Sequence, residues 1–310
     1  MLAFLPAPLR GAIAVSLLLL NTLWWCLWLF ALALLRLLLV PVPGARRVLD
    51  PLLNAVASAW IAGNSGWMAL TQPMRWSVQG LEGFDPRGWY LLVSNHQSWA
   101  DIFVLQHLFN RRIPMLKFFL KRELMWVPVM GLAWWALDFP FMRRHGEAVL
   151  RAHPEKRLDD LRATRRACQR FATVPTSVTN FVEGTRFTAT KHAAQRSPYR
   201  HLLRPKAGGL AMAMSVLGPQ FHSLVDVTIV YPDGVPGFWA FMCGQASRVT
   251  VRVQTLPIPE SLSIAAEADG ATDEHQRKQV QQWLTELWQR KDEAIATLLR
   301  DAGQPEAVAR

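Results

Sequence analysis

The stretch from Trp89 to Asp101, WYLLVSNHQSWAD, decides how this chain is read. Trp89 to Val93 is short, apolar and partly β-branched, the composition of a buried strand. Ser98 suits a helix N-cap, and Ala100, Ile102, Phe103, Leu105 and Leu108 continue as a helix. His96 then falls in the turn between them. Two residues five apart in one regular helix lie about 140° apart around its axis and point different ways. With His96 just outside the helix and Asp101 in its first turn, the two side chains can meet. The carboxylate would orient the imidazole and leave its other nitrogen free to take a proton from a hydroxyl. A plainer reading stands beside this one. Ser98-x-x-Asp101 is also a capping-box pattern, which alone accounts for the aspartate, and a lone loop histidine is commonly just solvated.

A second apolar run, Val178 to Val182, reads as a core strand leading into Glu183-Gly184-Thr185-Arg186. Gly184 lets the backbone turn sharply. The turn's amides, the Thr185 hydroxyl and the Arg186 guanidinium form a cradle suited to phosphate. Glu183 cannot meet a phosphate directly, but it can accept from an arginine or a substrate hydroxyl. The alternative is an ordinary strand-ending turn.

Asn95-His96-x-x-x-x-Asp101 followed by Phe181-Val-Glu-Gly-Thr-Arg186 resembles the glycerolipid acyltransferases, the 1-acylglycerol-3-phosphate acyltransferase superfamily with its H-x4-D and E-G-T-R blocks. The resemblance covers about residues 75–255. Within the superfamily the chain is most similar to the lysocardiolipin acyltransferase branch and its bacterial relatives, through Asp226-Val-Thr-Ile-Val-Tyr-Pro-Asp233. Phe139 to Arg144 resembles the family's F-x-x-R block, which implies that Arg144 helps hold the acceptor phosphate. A guanidinium fork suits that task, although a basic surface pair is the simpler reading of Arg143-Arg144. Leu203 to Gly209 resembles the segment before the next family helix, where Lys206 would meet phosphate or donor charge. The resemblance also sets Asn95 among the substrate-binding residues. It implies no metal and no covalent acyl-enzyme, and the sequence holds neither a G-x-S-x-G elbow nor H-E-x-x-H.

Half the residues are hydrophobic, the net charge is +11 and there are fourteen tryptophans. Such a chain suits an anionic membrane surface or nucleic acid, and no nucleic-acid motif accompanies the charge. Cys26, Cys168 and Cys243 form no spaced framework, which suits a reducing compartment.

Gly11 to Leu35 carries no charge and is long enough to cross a hydrocarbon core of about 30 Å. It is too long for a typical signal-peptide core, so an anchor is expected. Arg10 flanks one end and Arg36, Arg46 and Arg47 the other, which favours a cytoplasmic C-terminal flank. After the Pro41-Val-Pro43-Gly44 break, Val48 to Leu70 is apolar but interrupted by Asn54, Ser58, Gly63 and Asn64. It fits a helix returning along the interface or packing as a hairpin on the first.

Strands are expected at Met74–Gly83, Val225–Val230 and Arg248–Leu256, and an amphipathic helix at Glu274–Arg300. Ile113 to Met142 mixes aromatics with Lys117, Lys121 and Arg122, which suits a surface at lipid headgroups or a buried helix pair with a charged edge. Arg151 to Arg170 reads as an exposed basic helix, and Phe187 to Arg204 as a basic loop.

The expected fold is α/β, a mixed sheet flanked by helices, with an N-terminal membrane-anchoring hairpin over residues 1–72 and the acyltransferase domain over 73–310. The expected reaction moves an acyl group from acyl-CoA or acyl carrier protein to the free hydroxyl of a lysophospholipid, foremost 1-acyl-sn-glycerol-3-phosphate. His96 would be the base and Asp101 its orienting partner. Arg144, Glu183, Gly184, Thr185 and Arg186 would bind the acceptor's phosphate end. The location would be the inner membrane, with the catalytic domain facing the cytoplasm. Three rivals stand: another lysolipid headgroup, a membrane-bound lipid hydrolase using the same pair on water, and a non-enzymatic basic binder of anionic lipid.

Overall fold

The computed structural model describes residues 2–142, 174–263 and 270–303. Arg144 and the expected helix at Arg151–Arg170 lie outside these residues, as does Cys168. The apolar run before His96 is β2 (Tyr90–Ser94), buried at every position. It lies inside a six-stranded sheet with β1 (Arg75–Gln79), β3 (Leu116–Phe118), β6 (Ser177–Phe181), β7 (Ser223–Val230) and β8 (Arg248–Leu256). The order is β1-β8-β7-β2-β6-β3. β3, β6, β2 and β7 run one way, and β8 with its parallel neighbour β1 runs the other. The sheet is therefore mixed, as expected. The parallel strands β2, β6 and β7 all end on the same side, which is where such sheets place their sites.

Residues alternate between two cores, as the pleat requires. Leu92 and Val225, Val227 and Ile229 face α3 (Ala100–Phe109). Leu91, Val93 and Leu224 face α6 (Gly208–Leu217) and the long C-terminal helix α9 (Gly270–Asp301). Val280, Leu284, Leu287 and Ile295 of α9 are buried there, as their spacing predicts. Lys291 shares that apolar stripe and is buried too. Its ammonium lies 2.7 Å from Asp226 Oδ1 and donates to the Val227 carbonyl and the Thr228 hydroxyl. An aspartate inside an otherwise apolar strand is thereby accounted for.

The N-terminal segment is a hairpin of α1 (Ala7–Leu38) and α2 (Ala45–Thr71), turning at Gly44 with φ +84°. The polar residues that interrupt the apolar pattern hold it together. Asn21 donates to the Trp60 carbonyl and to Asn64, and Trp60 Nε1 donates to Thr22. Ser58 donates to Asn110 at the end of α3. Of the described helices, α1 is the one long and apolar enough to cross a membrane. Leu20, Leu23, Trp24 and Leu27 on it are more than half exposed, a larger apolar face than a soluble surface carries.

Arg10 and Arg36, the charges that flank the apolar run, are both buried and tied to the α/β body. Arg10 donates to the carbonyls of Cys243 and Gly244. Arg36 pairs with Asp50 and Asp138 and donates to the Ala136 carbonyl. Both ends of α1 are thus fixed to the body.

The region from Ile113 to Met142 is not a helix pair. It breaks into β3, β4 (Leu120–Lys121), a 3₁₀ turn (Arg122–Trp126), α4 (Met130–Ala136) and β5 (Phe141–Met142). Trp126 is 84% exposed, but Lys117 is buried, and burial pushes its ammonium down to about 8 against the pull of Asp138 and Asp50. The expected loop after Phe187 contains a helix, α5 (Ala189–Gln195), whose first turn is capped by the Thr188 hydroxyl accepting from Lys191 N–H.

Candidate active site

β2 delivers His96 to the turn before α3, where its Nδ1 lies 2.9 Å from Asp101 Oδ2. An ionised carboxylate can only accept, so Nδ1 carries the proton and Nε2 of the neutral ring keeps its lone pair. The ring stacks on Phe181, with centroids 4.0 Å apart, and His96 lines the main cavity. No described residue bonds Nε2.

Asp101 is fully buried. Its Oδ2 accepts from the backbone N–H groups of Gln97 (2.6 Å) and Ser98 (2.8 Å) as well as from His96. Its Oδ1 accepts from the Tyr231 hydroxyl at 2.7 Å. The two sequence readings of Asp101 therefore coexist: it closes the helix start in capping-box fashion and it orients the imidazole. Ser98 stabilises the same start, its hydroxyl accepting from Ala100 N–H and donating to the Pro236 carbonyl.

Two residues expected at the substrate are buried and hydrogen-bonded to backbone. Asn95 is fully buried, and its amide donates to the Ile229 carbonyl and accepts from Ile229 N–H, both at 2.8 Å. The β2–β7 ladder ends at Ser94 and Val227, and the Asn95 side chain takes over as a substitute peptide for the next exposed edge. Glu183 is equally buried, its Oε1 accepting from His96 N–H (3.0 Å) and its Oε2 from Leu203 N–H (2.9 Å). Both oxygens thus accept from backbone N–H groups. Burial pushes the Glu183 carboxyl up to about 8, against the two backbone bonds and the Lys291 charge.

Gly184, Thr185 and Arg186 do line the cavity. Gly184 has φ +70°, where a side chain would be strained. The Arg186 guanidinium lies 4.5 Å over the Trp99 ring. Lys191, missed in the sequence because its segment reads as a loop, donates to Thr185 Oγ1 (2.8 Å) and to the Arg186 carbonyl (3.1 Å). Lys206 is not brought in: its side chain is exposed, it is absent from the cavity wall, and its backbone N–H bonds Val182. Lys121 lines the cavity from the opposite wall.

The cavity holds about 660 Å³ between the hairpin and the body. Trp25 of α1, Trp60 of α2 and Trp134 of α4 give it an apolar wall, and His96, Lys121 and Arg186 supply polar groups at the sheet end. Among the described residues, no three His, Cys, Asp or Glu side chains cluster to hold a metal. Asp226 and Thr228 are not part of the cavity wall.

Several known proteins are similar to this chain. Mouse 1-acyl-sn-glycerol-3-phosphate acyltransferase gamma is 27% identical over 194 residues, 59% of this chain and 45% of that protein. The mouse epsilon enzyme is 24% identical over 241 residues, 70% of this chain and 59% of that one. The chain thus spans about half the length of the curated relatives it matches. The crystal structure of the 1-acyl-sn-glycerophosphate acyltransferase PlsC from Thermotoga maritima aligns with 87% of this chain and 97% of its own, at 17% identity and a TM-score of 0.43. The acyltransferase family model matches residues 75–232, half of the chain, from the start of β1 to just past the end of β7. That span carries the His96–Asp101 pair and the Glu183–Arg186 turn, and the chain belongs to the acyltransferase family.

Proposed function

We propose that the protein is a membrane-bound acyltransferase that moves a fatty acyl group from acyl-CoA or acyl carrier protein to the free hydroxyl of 1-acyl-sn-glycerol-3-phosphate, giving phosphatidic acid. The observation that carries the reading is a partly buried histidine, oriented by a buried carboxylate, on the wall of a large apolar cavity with cationic groups beside it. The Nε2 of His96 takes the acceptor's hydroxyl proton as the oxygen attacks the thioester carbonyl. The tetrahedral intermediate collapses with cleavage of the C–S bond, and the imidazolium returns its proton to the leaving thiolate. Asp101 holds the tautomer and stabilises the imidazolium. Arg186, with the Gly184–Thr185 turn, receives the acceptor's phosphate, and the family resemblance assigns a share of that task to Arg144, which lies outside the described residues. The scheme uses no metal, no resident cofactor and no acyl-enzyme.

The tryptophan wall suits an acyl chain, and the exposed leucines of α1 suit bilayer lipid. The hairpin, residues 1–72, is then the anchor, and 73–310 the catalytic body. The net charge of +11 suits the anionic cytoplasmic face of the inner membrane as the surface that body sits on.

The test is thioester-dependent acylation of 1-acylglycerol-3-phosphate in membranes holding equal amounts of wild type or His96→Ala. A positioned base contributes roughly 100- to 10,000-fold, so the variant is expected to lose nearly all transfer. A variant as fast as wild type refutes His96 as the base. Release of free fatty acid without an acceptor would favour the hydrolase instead.

A further inference from the structure

The His96–Asp101 pair is gripped from both neighbouring strands. On one side Glu183, two residues past the end of β6, takes His96 N–H. On the other, β7 ends at Val230, and the next residue, Tyr231, is buried with its hydroxyl on Asp101 Oδ1. The three other donors to Asp101, from His96, Gln97 and Ser98, all reach Oδ2. Among the described residues Tyr231 is thus the donor that satisfies Oδ1. The segment grips the start of α3 a second time, where Ser98 Oγ donates to the Pro236 carbonyl. Tyr231 is not part of the cavity wall, so any influence on the reaction passes through Asp101.

We propose that Tyr231 is a positioning residue for acyl transfer: its hydroxyl fixes the rotation of the Asp101 carboxylate and, by drawing off part of its charge, sets the basicity of His96. Burial and the neighbouring Asp101 charge hold the tyrosine well above its ordinary ionisation range, so it stays a donor throughout the working pH. Among the described residues the other titratable or charged groups facing the pair are Glu183, behind the His96 backbone, and Arg186 and Lys121 on the cavity wall. None of them reaches Oδ1. Without the tyrosine hydroxyl, the carboxylate keeps more of its negative charge, the imidazolium is better stabilised, and His96 holds its proton to higher pH. The carboxylate is also freer to rotate, so the base is less well aimed.

The inference rests on His96 being the base, and the experiment separates the two. Full-length wild type, Tyr231→Phe, Asp101→Asn, the double variant and His96→Ala are assayed for thioester-dependent acylation of 1-acylglycerol-3-phosphate from pH 5 to 9. Tyr231→Phe is expected to lower kcat about 10-fold, the scale of one lost hydrogen bond to a charged group, with KM nearly unchanged. The acid limb of kcat/KM should move up by roughly half a unit to one unit. In the Asp101→Asn background the same change should add less than about twofold, because the tyrosine acts through that carboxylate. A 3-fluorotyrosine placed at 231 keeps the shape and is a stronger donor, so it should move the acid limb down. This arm remains decisive if the phenylalanine variant does not fold. An unmoved acid limb in both position-231 proteins, or effects that multiply with Asp101→Asn, overturns the role of Tyr231. If His96→Ala is as active as wild type, the base assignment fails and this inference with it.

Discussion

Asn95→Ala separates two views of one residue. Its place beside His96 in the sequence suggests substrate binding, whereas the structure makes it the clasp between β2 and β7. Removing the amide strands the Ile229 N–H and the Ile229 carbonyl, both of which it serves at 2.8 Å in a fully buried position. A buried polar group left without a partner costs about 1–3 kcal/mol. Two of them give a loss of about 2–6 kcal/mol, or a drop in Tm of roughly 5–20 °C for a domain of this size. Asn95→Asp should fare no better, because it sets a carboxylate oxygen against the Ile229 carbonyl and buries a charge. The assay is thermal unfolding of purified protein in detergent, followed beside acceptor KM on the fraction that remains folded. A Tm within about 1 °C of wild type together with a raised KM would refute the clasp and restore Asn95 to the substrate.

Glu183 has a folded pKa of about 8, raised from 4.5 mainly by burial. Between those values the folded state holds a proton the unfolded chain has released, so this group's contribution to stability falls as pH rises from about 5 to 8. Glu183→Gln removes that titration, and the difference in Tm between variant and wild type should shift in the variant's favour across the interval; a constant difference would contradict it. Lys291→Met strands Asp226 in the core and should cost about 3–5 kcal/mol, with Asp226→Asn added in the same chain restoring much of it. Denaturant unfolding reads both, and a Lys291→Met protein as stable as wild type would show that the pair carries little.

The strand, turn and helix around His96 were legible because each is encoded locally: a short apolar run, a good cap, and a five-residue spacing that only a turn can close. The strands β7 and β8 and the apolar face of α9 were legible for the same reason. What Asn95 and Glu183 do was not, because their partners come from distant parts of the chain and nothing local marks them. Asn95, Glu183 and Arg186 look alike as polar residues at strand ends; burial alone sorts two of them into scaffold and leaves one at the cavity. The Lys291–Asp226 pair did leave a trace. A lysine on the apolar stripe of a helix and an aspartate within an apolar strand are each out of place alone and consistent together. α5 was hidden by its basic composition, although Thr188 offered a cap. The helix pair offered as one reading of Ile113 to Met142 is absent because the short elements there take their shape from the hairpin and the cavity rather than from any period of their own.

The sheet order has a consequence for how the protein is made. β2 is flanked by strands synthesised long after it, and the contacts that shape its end join Asn95 to Ile229 across 134 residues, His96 to Glu183 across 87 and Asp101 to Tyr231 across 130. During translation the apolar hairpin leaves the ribosome before the histidine turn, which emerges with nothing yet to hold it. Closing such distant contacts is slow compared with forming a helix. A nascent chain can therefore have its hairpin in place while the His96 corner is still unmade, and every length of chain short of Tyr231 lacks the contacts that close that corner.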